Sequence, residues 1–342
     1  MLISEFEYEL PDELIAQDPL DDRSASRMLV VNRPRREISD QVFTEFPSFL
    51  RAGDLLVINN TRVFPARLIG HSETGARIEL FLVEEKDVGV WETLAKPGRR
   101  LRTGKQIILG DGLKAEVLDK TDEGRFMVRF DADGPIDDMI DQIGHTPLPP
   151  YIKRDDGSDA DSERYQTVYA KQRGAIAAPT AGLHFTPQVF DAVRSAGAEI
   201  AEITLHVGYG TFEPVRVEEL SEHHVMPERY SIDRQTAEKL NAAKAEDRRI
   251  VAVGTTTTRA LESNLHSFNT LTQGMHTAGL TITPGYKFRA VDALLTNFHL
   301  PKSSLLVLTS TFGGHELIMN AYRHAVASRY RFYSYGDCML IS

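Results

Sequence analysis

Cysteine is almost absent from this chain of 342 residues: Cys338 is the only one. One thiol can form neither an internal disulfide framework nor a cysteine-based zinc cluster, so a reducing compartment, the cytoplasm, is expected. Long apolar runs are missing too. No window reaches the ~18 uninterrupted apolar residues of a membrane span, and Met1 to Leu10 alternates acidic with apolar residues and carries no basic leader region. Neither a membrane nor an export route is expected. Positive charge is in deficit, with 39 Lys and Arg against 49 Asp and Glu and a formal net charge of −10. That excludes a protein that coats nucleic acid through global charge, because phosphate binding is driven by Lys and Arg that release counterions. A local basic surface stays open. Arg99, Arg100, Arg102, Lys105, Lys153, Arg154, Arg323, Arg329 and Arg331 are its candidates, with scattered solvated charge as the simpler reading. There is no Gly-x-Ser-x-Gly elbow and no P-loop. His223 and His224 are adjacent, so they cannot both face one metal from a regular element.

What is present is an ordinary globular composition, 42% hydrophobic and 26% charged, at a length that suggests two domains. Asp54-Leu55-Leu56-Val57-Ile58, between Gly53 and Asn59-Asn60, has the length and apolarity of a buried strand. From Leu68 to Phe130 the pattern changes to short alternating or β-branched runs separated by Gly turns, at 77–83, 106–109, 115–118 and 125–130. Short strands without long helices between them predict a small β-barrel or sandwich. It reads as an insertion, closed by the extended Thr146-Pro147-Leu148-Pro149-Pro150-Tyr151. An acidic loop from Asp155 to Asp161 then leads into an α/β half. Thr186-Pro187 opens a helix that stops at Gly197. Strands are predicted at 199–207, 249–254 and 304–309, and helices near 236–245, 258–265 and 316–327.

Polar residues gather where predicted strands end. Ile250-Val251-Ala252-Val253-Gly254 turns through four threonines, including Thr255 and Thr256, into a helix begun by Arg259. Hydroxyls, free N–H groups and a guanidinium there suit a carboxylate or phosphate, although threonine N-capping alone is the plainer alternative. The turn Ala178-Pro179-Thr180-Ala181-Gly182-Leu183-His184 leaves backbone open to a ligand. Its His184, judged alone, reads as a structural histidine. A further strand ends in His206-Val207-Gly208-Tyr209-Gly210. The Gly-x-Gly is followed by Phe212-Glu213-Pro214, where a dinucleotide fold needs a helix, so that fold is rejected. A loop able to stack Tyr209 or Phe212 on a flat ring is what survives. Asn59-Asn60-Thr61-Arg62 and Thr296-Asn297-Phe298-His299 add two more polar strand ends, and ligands of open α/β sheets collect at such ends. The active site of a soluble enzyme is expected around the two glycine-rich turns.

Taken together, these stretches resemble the S-adenosylmethionine:tRNA ribosyltransferase-isomerase family of queuosine biosynthesis. The matching runs are Gly53 to Val63, Leu148 to Ile152, Tyr165 to Tyr169, Ala177 to Phe185, Thr204 to Gly208, Gly210 to Arg216, Val253 to Thr256 with Arg259, Val291 to Pro301, and Tyr330 to Asp337. The resemblance implies a mixed sheet curled into a half-barrel, formed by residues 1–67 and 150–342, interrupted by a closed β-barrel over 68–149. It implies transfer and isomerisation of the ribosyl part of S-adenosylmethionine onto the 7-aminomethyl-7-deazaguanine wobble base of tRNA. Epoxyqueuosine forms in the tRNA, and adenine and methionine are released. S-adenosylmethionine is then a consumed substrate, with no cofactor or metal, and a monomer is expected. In the mechanism usual for the family, the sulfonium acidifies a C5′ proton, a base removes it, and the carbanion attacks the substrate base. His184 and His206 are the candidates for proton transfer, facing one site together. Substrate contacts are expected from Asn60, Arg62, Thr180, Gly182, Gly208, Tyr209, Gly210, Phe212, Glu213, Arg216, Thr255, Thr256, Arg259, Asn297 and His299. Arg259 with Thr256 would take the methionine carboxylate or a tRNA phosphate.

Two departures stand out. The family carries His-x-Met-His-x-Glu after the Gly-Thr-Phe loop, and reading it from His224 puts Pro227 and Arg229 where the second histidine and the glutamate belong. Near Thr281 the family prefers an aromatic residue. Two other readings of the chain are a tRNA-binding protein without catalysis and an S-adenosylmethionine-dependent tRNA methyltransferase.

Overall fold

A computed structural model of the protein describes residues 1–110, 112–153, 159–208, 210 and 215–342. Among these, a mixed sheet of nine strands forms the body of the fold. Its order is Gly274–Ala278, Glu228–Ile232, Glu199–Leu205, Leu55–Asn59, Ile250–Val253, Ala293–Asn297, Cys338–Ile341, Arg27–Asn32 and Glu37–Val42. The four central strands, from Glu199–Leu205 to Ala293–Asn297, run parallel. Leu55–Asn59, Ile250–Val253 and Ala293–Asn297 are buried along their whole length, which explains why they read as continuous apolar runs.

Alternation along these strands divides the core between the two faces of the sheet. Leu55, Val57, Ala252 and Leu294 join one cluster with Leu240, Leu261, Leu306 and Leu317, from the helices Arg234–Ala245, Thr255–Phe268, Ser304–Gly313 and His315–Ala327. Leu56, Ile58, Val251, Val253 and Leu295 join the other, with Val189, Phe190 and Val193 of helix Pro187–Ser195 and with Phe43 and Phe46. Thr186 Oγ1 caps that last helix by accepting from Val189 N at 3.3 Å.

A closed antiparallel barrel leaves and rejoins this body. Its strands are Arg67–Ser72, Arg77–Asp87, Val90–Lys96, Gln106–Gly110, Leu113–Lys120 and Phe126–Ala132. Inward residues such as Leu68, Leu80, Trp91, Ile107, Val117 and Val128 fill it. Arg67 pairs with His145 in a short antiparallel bridge, bringing the chain's entry and exit side by side.

Three local expectations are corrected. Residues 304–309, read as a strand, begin helix Ser304–Gly313, which Ser303 caps by accepting from Leu306 N at 3.2 Å. A short run apolar on every side fits a buried helix as well as a strand, and here the helix packs into the core. The threonine turn is helical from Thr255 onward: Thr257 and Thr258 hydroxyls donate to the carbonyls of Val253 and Gly254, four residues back. Part of the acidic loop forms the short helix Asp159–Arg164, whereas residues 155–158 lie outside the described residues.

Candidate active site

The carboxyl ends of three of the four parallel strands open on one cavity of about 400 Å³. Val207 follows Glu199–Leu205, Gly254 to Thr256 follow Ile250–Val253, and Thr296 to Pro301 end and follow Ala293–Asn297. The first glycine-rich turn supplies Ala178, Pro179, Thr180 and Ala181. The remaining wall is aromatic, from Tyr151, Tyr165, Phe298 and Tyr333. Tyr151 and Tyr333 have ring centroids 4.0 Å apart at 39°, and Tyr333 holds a φ of 74°, the kind of backbone strain that collects at working sites.

The lining of this cavity contains no Asp, Glu, Lys or Arg among the described residues. His299 lines it, with Nε2 2.8 Å from Thr296 Oγ1, and burial lowers its pKa from 6.5 to about 3. Burial also raises the Tyr151, Tyr165 and Tyr333 hydroxyls above their ordinary value. The wall is therefore uncharged at neutral pH. Gly254 enters the Thr255–Phe268 helix at φ 92°, a conformation other residues rarely adopt, and among the described residues no side chain caps the helix start. Its first backbone N–H groups remain available beside the cavity for an anionic group.

Sharing Thr255, Thr256 and Leu305 with this cavity is a small pocket of about 30 Å³, lined also by Gly210, His223 and Arg259. Arg259 pairs there with Glu228, two side chains only 11% and 5% exposed. Glu228 Oε1 also accepts from Gly208 N at 3.0 Å. Burial lowers the guanidinium pKa to about 10.

Thr180, Thr255, Thr256, Asn297 and His299 thus meet in the central cavity, and Gly210 and Arg259 in its side pocket. The two candidate histidines do not face that cavity together. His184, 4% exposed, lies behind Asn297 in a separate cleft with Arg23 and Ser26. Its Nε2 is 3.3 Å from Asn297 Nδ2 and its Nδ1 2.7 Å from Ser26 Oγ. Burial, then the charges of Arg23 and Arg331, lower its pKa from 6.5 to about 4. His206 projects from the other side of its strand end, with Nδ1 2.8 Å from Thr61 Oγ1, into a polar cleft with Asn60, Glu202 and Thr204. Alternation explains the separation: the next residue, Val207, is the one that lines the cavity. Burial and Arg229 lower the His206 pKa.

Asn60 is engaged in that same cleft, accepting from Thr204 Oγ1 at 2.7 Å and donating to Glu202. Arg62 lines a third cleft, with Gln166 and Arg173. Gly182 packs against Tyr169, Gly208 binds Glu228 through its N–H, and Arg216 is exposed. Tyr209, Phe212 and Glu213 lie outside the described residues. Of the candidate basic surface, Lys153 pairs with Asp12 and Arg329 with Glu13, while Arg331 donates to the carbonyl of Asp18.

Sequence reasoning passed over the tyrosine wall and Glu228. The wall's signal was the aromatic density of the runs at 148–152 and 330–337. Glu228 was hidden by register. Read from His223 instead of His224, His-x-Met-His-x-Glu places its glutamate on Glu228, with Val225 and Met226 at the methionine and second histidine positions. The glutamate is therefore present, buried and paired, and only those two positions differ.

A mixed α/β sheet that encloses a cavity of this size at the carboxyl ends of its parallel strands is the build of an enzyme acting on a small organic molecule. The chain belongs to the queuosine biosynthesis protein family, whose model matches residues 3–341. It is 48% identical over 343 residues to an S-adenosylmethionine:tRNA ribosyltransferase-isomerase of Desulfitobacterium hafniense, covering all of both chains. The enzyme of that name from Geobacter metallireducens is 48% identical over 344 residues, again at full coverage of both. The crystal structure of an S-adenosylmethionine tRNA ribosyltransferase from Thermotoga maritima matches 99% of this chain and 100% of its own, at 36% identity and a TM-score of 0.56.

Proposed function

We propose that this protein transfers and isomerises the ribosyl moiety of S-adenosylmethionine onto the 7-aminomethyl-7-deazaguanine wobble base of tRNA. Epoxyqueuosine-tRNA is the product, and adenine and methionine leave. The observation that carries this reading is the full-length match to ribosyltransferase-isomerases, which spans the central cavity as well as the barrel.

The cavity's chemistry supports it. An uncharged wall with tyrosine faces suits a sulfonium, which is attracted to the negative face of an aromatic ring and needs no carboxylate to hold it. A volume of about 400 Å³ is within the range of small-molecule sites. The start of the Thr255–Phe268 helix, where the cavity meets the pocket of Arg259, offers N–H groups and threonine hydroxyls to polar groups of the substrate. His299, kept neutral by burial, offers the cavity a hydrogen-bonding imidazole, and the burial that lowers its pKa to about 3 also makes it a weak base. S-adenosylmethionine is consumed in this scheme, so it counts as a substrate, and no cofactor or metal is required.

Incubation with S-adenosylmethionine and tRNA bearing 7-aminomethyl-7-deazaguanine tests the proposal. Adenine and methionine should appear in equal amounts, with epoxyqueuosine in the digested tRNA. S-adenosylhomocysteine in their place would establish methyl transfer, and no turnover of either kind would reduce the protein to a tRNA binder.

A further inference from the structure

The side pocket holds two buried nitrogens that the fold leaves unanswered. Arg259 Nε and His223 Nε2 have no hydrogen-bond partner among the described residues, and both side chains line this pocket. Buried polar atoms are almost always paired, so two orphans in one small space call for a ligand. The pocket opens beside the central cavity across Thr255, Thr256 and Leu305. Its volume of about 30 Å³ admits a small polar head and no ring.

Charge narrows the class of that head. Arg259 and Glu228 already neutralise one another, and a phosphate or lone carboxylate would bring an uncompensated charge into a buried site. A zwitterion adds none. Resting on the reading of S-adenosylmethionine as the cavity's substrate, we infer that the pocket receives the zwitterionic amino-acid end of that molecule. Its carboxylate takes the N–H groups of Arg259 Nε and His223 Nε2, and its ammonium lies beside Glu228. The Glu228 carboxylate is held for this by Gly208 N and by the guanidinium. The nucleoside and sulfonium then fill the uncharged cavity, and the charges at the far end of the substrate are met by the pair outside it. Arg259 is thereby a substrate-orienting residue and not a tRNA phosphate contact.

Two thioethers isolate this end of the molecule. S-adenosylhomocysteine has the amino-acid head and 5′-methylthioadenosine lacks it, and neither carries a sulfonium. Calorimetric titration of the purified protein should show S-adenosylhomocysteine binding ~10- to 100-fold tighter, as hydrogen bonds to charged groups imply. In His223→Ala and in the double variant Glu228→Gln/Arg259→Gln, the preference should shrink to within ~3-fold while 5′-methylthioadenosine affinity holds. The double variant is used because Arg259→Gln alone leaves a buried carboxylate without its cation. Thermal melts of each variant check that it is folded. A preference unchanged in both folded variants overturns the inference and leaves the proposed function standing. If neither thioether nor S-adenosylmethionine binds the wild-type protein, both fall.

Discussion

Asn297 Nδ2 donates to His184 Nε2 across 3.3 Å, tying a residue of the central cavity to an imidazole outside it. The bonds run in one sense. Thr180 Oγ1 donates to Asn297 Oδ1 at 2.9 Å, Asn297 donates to His184, and the ring's remaining N–H, on Nδ1, meets Ser26 Oγ at 2.7 Å. This order requires a neutral His184, because a protonated ring has no acceptor for Asn297.

The same neutrality makes stability depend on pH. The His184 pKa falls from 6.5 to about 4 on folding, so below 6.5 the unfolded chain gains a proton that the folded one refuses. The contribution is intact above 6.5 and is lost as pH falls toward 4, by about 3 kcal/mol in all. In urea unfolding, His184→Asn is expected to be less stable than wild type at pH 7.5 by ~1–3 kcal/mol and to lose less than wild type between pH 6.5 and 4. Parallel declines in the two proteins would show that this ring does not set the acid limb.

Gly182 has no room for a side chain. A Cβ there would lie 2.0 Å from Tyr169 Oη and 3.0 Å from Thr167 Cγ2, and the Tyr169 ring is itself packed edge-on against Phe185 and Phe190. Gly182→Ala is expected to cost ~1–3 kcal/mol by overpacking. Because the Tyr169 hydroxyl has no hydrogen-bond partner among the described residues, Tyr169→Phe should be near neutral alone and should return much of the loss in the double variant. Additive effects in the denaturation cycle would place the clash elsewhere.

The buried strands were legible in the sequence because parallel strands with both faces covered are apolar throughout, as in Leu55–Asn59 and Ile250–Val253. The barrel was legible from its alternation, and Thr180, Thr255, Thr256, Asn297 and His299 from their places at strand ends. What failed was direction. His206 and Val207 are neighbours in sequence and point to opposite faces, and a strand end alone does not say which of the two meets the ligand. His184 and Asn297 sit one behind the other, an order that only tertiary contact defines. Glu228 depended on choosing between two adjacent histidines as the start of one motif, and its burial against Arg259 makes the choice.

His206 occupies a cleft of its own, and its effects should separate by substrate. His206→Ala removes the contact to Thr61 and opens space beside Gly174, whose added Cβ would lie 2.7 Å from the ring. S-adenosylmethionine affinity, read by calorimetry, should stay within about twofold, since the ring does not line the central cavity. Turnover with modified tRNA is expected to fall, which would give His206 a part in the chemistry or in placing the RNA base. A large loss of S-adenosylmethionine affinity would contradict the separation of the two cavities.

Tyr151 tests what the aromatic wall contributes. It faces Tyr333 at 4.0 Å, and its hydroxyl meets Ser334 Oγ. If the ring face stabilises a sulfonium, Tyr151→Leu should weaken S-adenosylmethionine more than the uncharged S-adenosylhomocysteine. A cation–π contact of ~0.5–2 kcal/mol corresponds to a ~2- to 30-fold drop in the ratio of their affinities. Tyr151→Phe keeps the face and removes the hydroxyl that meets Ser334, so it should preserve the ratio while lowering both affinities slightly. Equal weakening of both nucleosides in the leucine variant would mean that the ring serves only to fill space, and the sulfonium would then lie against Tyr165, Tyr333 or Phe298 instead.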